Sequence, residues 1–319
     1  MIRRLALALT LLASSPAFAD TAAVERTFLE RAAISAADER CSLFSPGERL
    51  ALRSGLYQSQ NELLRAGYTI WKIRQTGDEA RAHARGLGCD HPAVRSVSAA
   101  VRDSYRMFIR TNFLEFPSTN GKWAVSRVVH DQWAMKEVDA ASGVQFGLRR
   151  GGLPQFQRFM MPPEPGAEAG IDLRLAVALP AAAWEMQPAS VQLRMRDPDK
   201  LGEPWLGALS GSSGRLGAPP RSVSRSEWAG GWERSDDITR VTFIVYYFPA
   251  SVAARIEALD PRETIVIEVT PSPRAADTAV KAYLFEVGDF RAGRAFALIP
   301  QPSASSAPPA EQPAAGAHH

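Results

Sequence analysis

Close to Asn112 the spacing of apolar residues changes from threes and fours to twos, which divides the chain into a part that buries helix faces and a part that buries strand faces. Upstream, from Val24 to about Arg110, four helices fit the pattern. The first spans roughly 21–39 with Val24, Phe28 and Ala32 on one side. The second has the clearest start: Ser45 caps it, Pro46 suits the first helical position and Glu48 completes a capping box. It continues through Leu52, Leu56 and Leu63 to Gly67. In the third, Ile70, Ile73, Gly77, Ala80, Ala84 and Leu87 form a continuous stripe whose small members permit close helix approach. The fourth opens at Asp90-His91-Pro92 and turns Val94, Val97, Val101, Tyr105 and Phe108 inward. Short connections favour antiparallel neighbours and hence an up-down-up-down bundle.

Downstream the apolar residues alternate, and Gly and Pro punctuate the segments. Strands are expected around 123–129, 133–137, 144–148, 171–179, 191–195, 241–248, 265–269, 282–287 and 294–298. The continuously apolar 241–248 segment reads as a central strand, and 251–259 as a short helix ended by Asp260-Pro261. A doubly wound parallel sheet would need helices between most strands, and only this one is present. The expected fold class is therefore α+β with two domains: an antiparallel helical bundle over 20–112, then an antiparallel β-sandwich or barrel-like domain with one short helix over 113–300. The boundary falls between 112 and 121. Within the second part, 197–237 is an irregular excursion rich in Gly, Ser, Pro and Arg that carries Trp205, Trp228 and Trp232. From 301 to 319 a Pro/Ala/Ser tail is expected to be disordered, its His318-His319 pair incidental.

The leader fixes an expected compartment. Met1-Ile2-Arg3-Arg4 precede an apolar run from Leu5 to Leu12 and a small-residue segment ending Ala17-Phe18-Ala19, the three regions of a cleaved export signal over 1–19. The run is far shorter than the roughly 20 apolar residues of a bilayer crossing, and Pro16 would break it. A retained interfacial helix would lack its polar face. No cysteine lies near the cleavage point to carry a lipid, and Arg3-Arg4 is read as an ordinary basic leader rather than a twin-arginine signal. Cleavage removes two arginines and no acidic residue, so the formal charge falls from +3 to +1. That balance argues against a nucleic-acid partner. Later apolar stretches around 175–184 and 241–250 are each too short to span a bilayer and contain proline, so no transmembrane segment is expected after cleavage.

In an up-down-up-down bundle the first and third helices point the same way, which places Cys41 and Cys89 at one end. In an oxidising compartment they should form a disulfide. The competing assignment of Cys89 with His83 and His91 to a metal matches no known ligand spacing, so no metal and no cofactor are expected.

No motif specifies a reaction. His130-Asp131 is a weak catalytic candidate, because neighbours on a strand point to opposite faces and a turn explains the pair. Gly211-Ser212-Ser213-Gly214 does not satisfy the nucleophile-elbow pattern. Asp197-Pro198-Asp199 and Asp236-Asp237 lack the fuller ligand pattern of a calcium loop. Trp205, Trp228 and Trp232, with Arg221, Arg225 and the nearby Arg215 and Arg234, are the candidate ligand-binding residues, since indoles stack on sugars and guanidinium groups hold anions. The alternative use of those rings is to pin the excursion to the sheet. The expected function is a non-enzymatic exported protein, periplasmic or extracellular, that binds or scaffolds a glycan, lipid or protein of the cell envelope. The alternative is a periplasmic hydrolase with a site near His130 or between the domains.

Overall fold

The computed structural model describes residues 21–117, 121–129, 132–150, 173–184, 188–200, 205, 214–236 and 240–301. The expected export signal and the tail from 302 lie outside them. Four helices come first: α1 (Thr21–Cys41), α2 (Pro46–Arg65), α3 (Ile70–Arg85) and α4 (Pro92–Phe108). The capping box of α2 forms as the sequence implies, with Ser45 Oγ accepting from the Glu48 amide at 3.3 Å and Glu48 Oε2 accepting from the Ser45 amide at 2.8 Å. At α4 the His91 ring nitrogen Nδ1 accepts the Ala93 amide at 3.3 Å, so this histidine serves as a helix cap.

Helices α1 and α3 lie side by side and run the same way. At one end Tyr68 Oη donates to Glu25 at 2.9 Å; at the other Cys41 and Cys89 are disulfide-bonded. The stripe of small residues is what lets the two helices approach: the Phe28 ring packs over Gly77, where a Cβ would sit 3.1 Å from a ring carbon. Phe28, Leu63, Ile70 and Ile73 fill one end of the helical part. Ile34, Phe44, Leu52, Val94 and Val101 fill the other. A cross-link over a sequence separation of 48 contributes about 4 kcal/mol on the chain-entropy account.

The β-rich part comprises β1 (Phe113–Pro117), β2 (Lys122–Val129), β3 (Gln132–Val138), β4 (Gln145–Arg150), β5 (Leu173–Pro180), β6 (Ser190–Arg196), β7 (Ser224–Trp228), β8 (Gly231–Asp236), β9 (Thr242–Phe248), β10 (Thr264–Thr270) and β11 (Lys281–Glu286). They build a seven-stranded sheet in the order β1-β2-β3-β4-β5-β9-β8 and a four-stranded sheet in the order β11-β10-β6-β7, every pair antiparallel. Helix α5 (Ser251–Ala258) follows β9 and sends Val252, Ala253 and Ile256 into the core. Alternation explains the layering: Leu175, Val177 and Leu179 of β5 face Leu193, Ile265, Ile267 and Phe285 of the small sheet in one apolar cluster.

Three segments depart from the sequence expectation. Residues 294–298, expected as a strand, belong to helix α6 (Gly288–Ala297). The segment reads as alternating only in isolation; Phe290, Gly293, Phe296 and Ala297 are buried at helical spacing once the preceding turn is included. Residues 113–117, expected within a boundary segment, form edge strand β1, which pairs with β2 and buries Phe116. The supposedly irregular 197–237 excursion contains β7 and β8, whose polar sequences carry little alternation of their own.

Helix α6 joins the two parts. One side packs on β1, β2 and β3, where Phe290 meets Trp123 at 5.3 Å between ring centroids and Phe296 meets Phe116 at 6.0 Å. The other side receives α2: Ser54 Oγ donates to the Ala292 carbonyl at 3.0 Å, and Asn61 Nδ2 and Arg65 Nη1 donate to the Asp289 carboxylate at 3.1 and 2.8 Å.

Candidate functional site

The described stretch of the excursion from 214 to 223 lies across the outer face of the four-stranded sheet. Arg194, Glu268 and Thr264 alternate with the core residues Leu193, Ile267 and Ile265, so they face away from the sandwich interior and toward this segment. The Leu216 amide donates to the Arg262 carbonyl at 2.8 Å and Arg215 Nε to Thr264 Oγ1 at 3.1 Å. Arg194 donates to the Pro219 carbonyl and also pairs with Glu268 at 3.0 Å. Arg196 pairs with Glu263 at 2.7 Å, and Arg262 grips Asp260 through two bonds of 2.8 and 3.0 Å. These buried charges are matched and hydrogen-bonded, which is what makes their desolvation tolerable.

Two of the candidate arginines belong to this network. Arg221 pairs with Glu268 at 2.9 Å, and Arg225 pairs with Glu227, which Arg255 also engages. Both therefore hold the excursion and the β7 edge in place. Asp197 plays a similar local part: it is buried, its carboxylate accepts the Asp199 amide at 3.1 Å, and its own amide donates to Val223.

The tryptophans divide. Trp123 and Trp133 are core residues at 0 and 5 % exposure, whereas Trp228 and Trp232 stand 59 and 48 % exposed. Their placement follows from the topology. Strand β7 ends the small sheet and β8 ends the large one, and only Ala229 and Gly230 separate them. The Ala229 amide donates to Val191 of the small sheet at 3.0 Å, and the next amide, of Gly230, donates to Tyr247 of the large sheet at 2.9 Å. The chain thus steps from one sheet to the other in two residues, leaving an exposed indole on each side of the step. Trp205 is half-buried, with its indole N–H unpaired among the described residues. Its neighbours in sequence lie outside them.

Other candidates are more quickly placed. His130-Asp131 falls between the paired strands β2 and β3 and lies outside the described residues, as do Gly211 to Ser213 and Asp237. Cys89 is bonded to Cys41 and is therefore lost to any metal, and among the described residues no group of three or more His, Cys, Asp or Glu is placed to hold one. A cleft of about 540 Å³ beside α1 and α2 is lined by Asp38, Arg49, Arg53, Tyr57 and Arg81, but Arg49 is bound to Asp38 at 2.6 Å and Arg81 to Asp78 at 2.7 Å. Two of its three arginines are thus already paired with aspartates.

Two buried ionisable groups have no local sequence signal. Arg127, on β2, stacks its guanidinium 3.8 Å from the Phe296 ring centroid and donates to the carbonyls of Phe108 and Ile299; burial lowers its pKa to about 10. Asp289 is wholly buried, and burial raises its pKa to about 6 against the opposing pull of Arg65 and Asn61. Both tie distant segments together, and neither lines the cleft beside α1 and α2. No helix among the described residues is long and apolar enough to cross a membrane. Comparison of the chain with protein-family models, curated proteins and solved structures found no match.

Proposed function

We propose that this is an exported, non-enzymatic binding protein of the cell envelope, and that the step between β7 and β8 is its contact surface for a glycan. The observation that carries this reading is the pair of exposed indoles, Trp228 and Trp232, at the adjoining edges of two rigid sheets. Large apolar rings on a fixed scaffold supply stacking area at low entropic cost, and sugars present apolar C–H faces that match them. The ionic network beneath the excursion supports the reading by fixing the β7 edge before any ligand arrives. Export is supported by the basic, apolar and small-residue leader together with the disulfide, which belongs to oxidising compartments.

The test is co-sedimentation of the mature chain with insoluble peptidoglycan, comparing it with a Trp228→Ala/Trp232→Ala variant. The double variant should lose sedimentation while its folding stability stays within about 1 kcal/mol, the range of surface substitutions. Undiminished sedimentation would remove these rings from the binding surface. A His130→Ala variant is the companion: loss of a hydrolytic activity with folding intact would favour the hydrolase alternative.

A further inference from the structure

The outer face of the seven-stranded sheet has an unusual lining. Strands β5 and β9 are apolar on both sides: Leu175, Val177 and Leu179 face the core, while Ala176 and Ala178 join Phe243, Val245 and Tyr247 in a separate cluster on the opposite side. A solvated sheet face is ordinarily polar. Here the register instead sets Gly147 opposite Ala176, Ala176 opposite Tyr247, and Ala178 opposite Val245. Small residues in the middle and larger ones along β9 leave a groove of about 440 Å³, within the range of small-molecule sites.

The groove is also one-sided in charge. Lys136 lies directly across from Gly147, and Arg149 lies further along the same strand as Gly147, on the same face. Both are exposed and both line the groove. Among the described residues Lys136 donates only to Gln145, at 3.0 Å, and no carboxylate lines the groove. On the other sheet Arg194, Arg196, Arg221 and Arg262 are each paired with a carboxylate. An apolar channel that ends against cations without an acid partner among the described residues matches a molecule with a long apolar tail and one anionic head.

We propose that this groove binds a long-chain fatty carboxylate, its tail lying along Gly147, Ala176 and Ala178 against Phe243 and Val245, and its carboxylate held by Lys136 and Arg149. The site is separate from the indole surface, since Trp232 pairs across from Tyr246 and so shares the core-side face of the large sheet.

The experiment titrates the mature full-length protein with the fluorescent polyene fatty acid cis-parinarate, then displaces it with oleate or with oleyl alcohol. Saturable binding is expected, with oleate displacing more strongly than the alcohol. A Lys136→Glu/Arg149→Glu variant should weaken parinarate binding by about tenfold or more, the scale of one charge-assisted contact. An Ala178→Trp variant, which fills the groove, should abolish it. If that variant fails to fold, the charge-reversed pair decides, because both of its positions are exposed. The proposal is overturned if the wild-type chain shows no saturable binding or if the charge-reversed variant binds as tightly. It is also overturned if Trp228→Ala/Trp232→Ala, rather than Ala178→Trp, removes binding.

Discussion

At the scale of single residues, Asp289 is the group whose chemistry is most constrained. It sits with no exposed surface in the first turn of α6, facing Asn61 and Arg65 from α2 and the charge of Glu286 from the end of β11. Burial is the largest influence and raises its pKa from 3.8 to about 6; Arg65 and Asn61 oppose the rise and Glu286 adds to it. A carboxyl whose folded pKa exceeds its unfolded value takes up protons on folding. Its favourable contribution is therefore complete below about pH 4 and is lost as the pH rises through 6. The amount at stake is about 3 kcal/mol. We predict that Asp289→Asn gains stability relative to the wild-type chain between pH 4 and pH 7, as read from urea midpoints at several pH values. A constant difference across that range would show that Asp289 keeps an ordinary carboxylate pKa in the folded protein. No local pattern could have announced this residue, because its partners lie more than two hundred positions away and only the tertiary fold assembles them. Trp228 and Trp232 had a visible signal in the sequence Trp-Ala-Gly-Gly-Trp; what was missing was the knowledge that two sheet edges meet there.

At the scale of elements, legibility followed the strength of local punctuation. Helices α2, α3 and α4 are readable because each has a cap, a proline or an uninterrupted apolar stripe, and each begins where those signals place it. Strands β7 and β8 were not, because Ser224-Arg225-Ser226-Glu227-Trp228 and its successor gain their strand character from neighbours rather than from alternation. Helix α6 is hidden because residues 294–298 alternate when read alone, and the helical spacing of Phe290, Gly293, Phe296 and Ala297 shows only with the preceding turn. Three substitutions test this level. Ser45→Ala removes the hydroxyl half of the α2 capping box and should cost about 1 kcal/mol in chemical denaturation. Gly147→Ala should cost about 3 kcal/mol, because the added Cβ would fall 1.9 Å from the Met135 carbonyl oxygen and 2.8 Å from the Lys136 Cα, and backbone cannot move aside without breaking the β3–β4 ladder. Gly293→Ala makes a useful contrast. Its nearest neighbour is the Met135 thioether, at 2.7 Å, which has rotamers to spare, so a loss within about 1 kcal/mol is expected.

At the scale of the whole molecule, the change of periodicity near Asn112 marks a change of secondary structure, and buried contacts cross it. The large apolar cluster of the sandwich includes Ala51 of α2, with Leu50, Tyr57, Tyr105 and Phe108 packed against it, and α6 makes buried polar contacts to α2 on one side while covering β1 to β3 on the other. The helical part keeps two small apolar clusters and the disulfide as its own resources. Those suffice to hold helices but leave the face of α2 around Ser54 and Asn61 without its partner. We predict that a protease site placed between Pro117 and Gly121, once cut, leaves both pieces associated in native size-exclusion chromatography, since the segment that joins them in space, α6, is far from the cut in sequence. The 20–112 fragment expressed alone, with the disulfide intact, should be helical by circular dichroism yet melt without a sharp transition, because the interface of α2 with α6 is missing. Separation of the cut pieces at micromolar concentration, or a cooperative melt of the fragment, would mean that the helical part closes its own core and that α6 only rests against it.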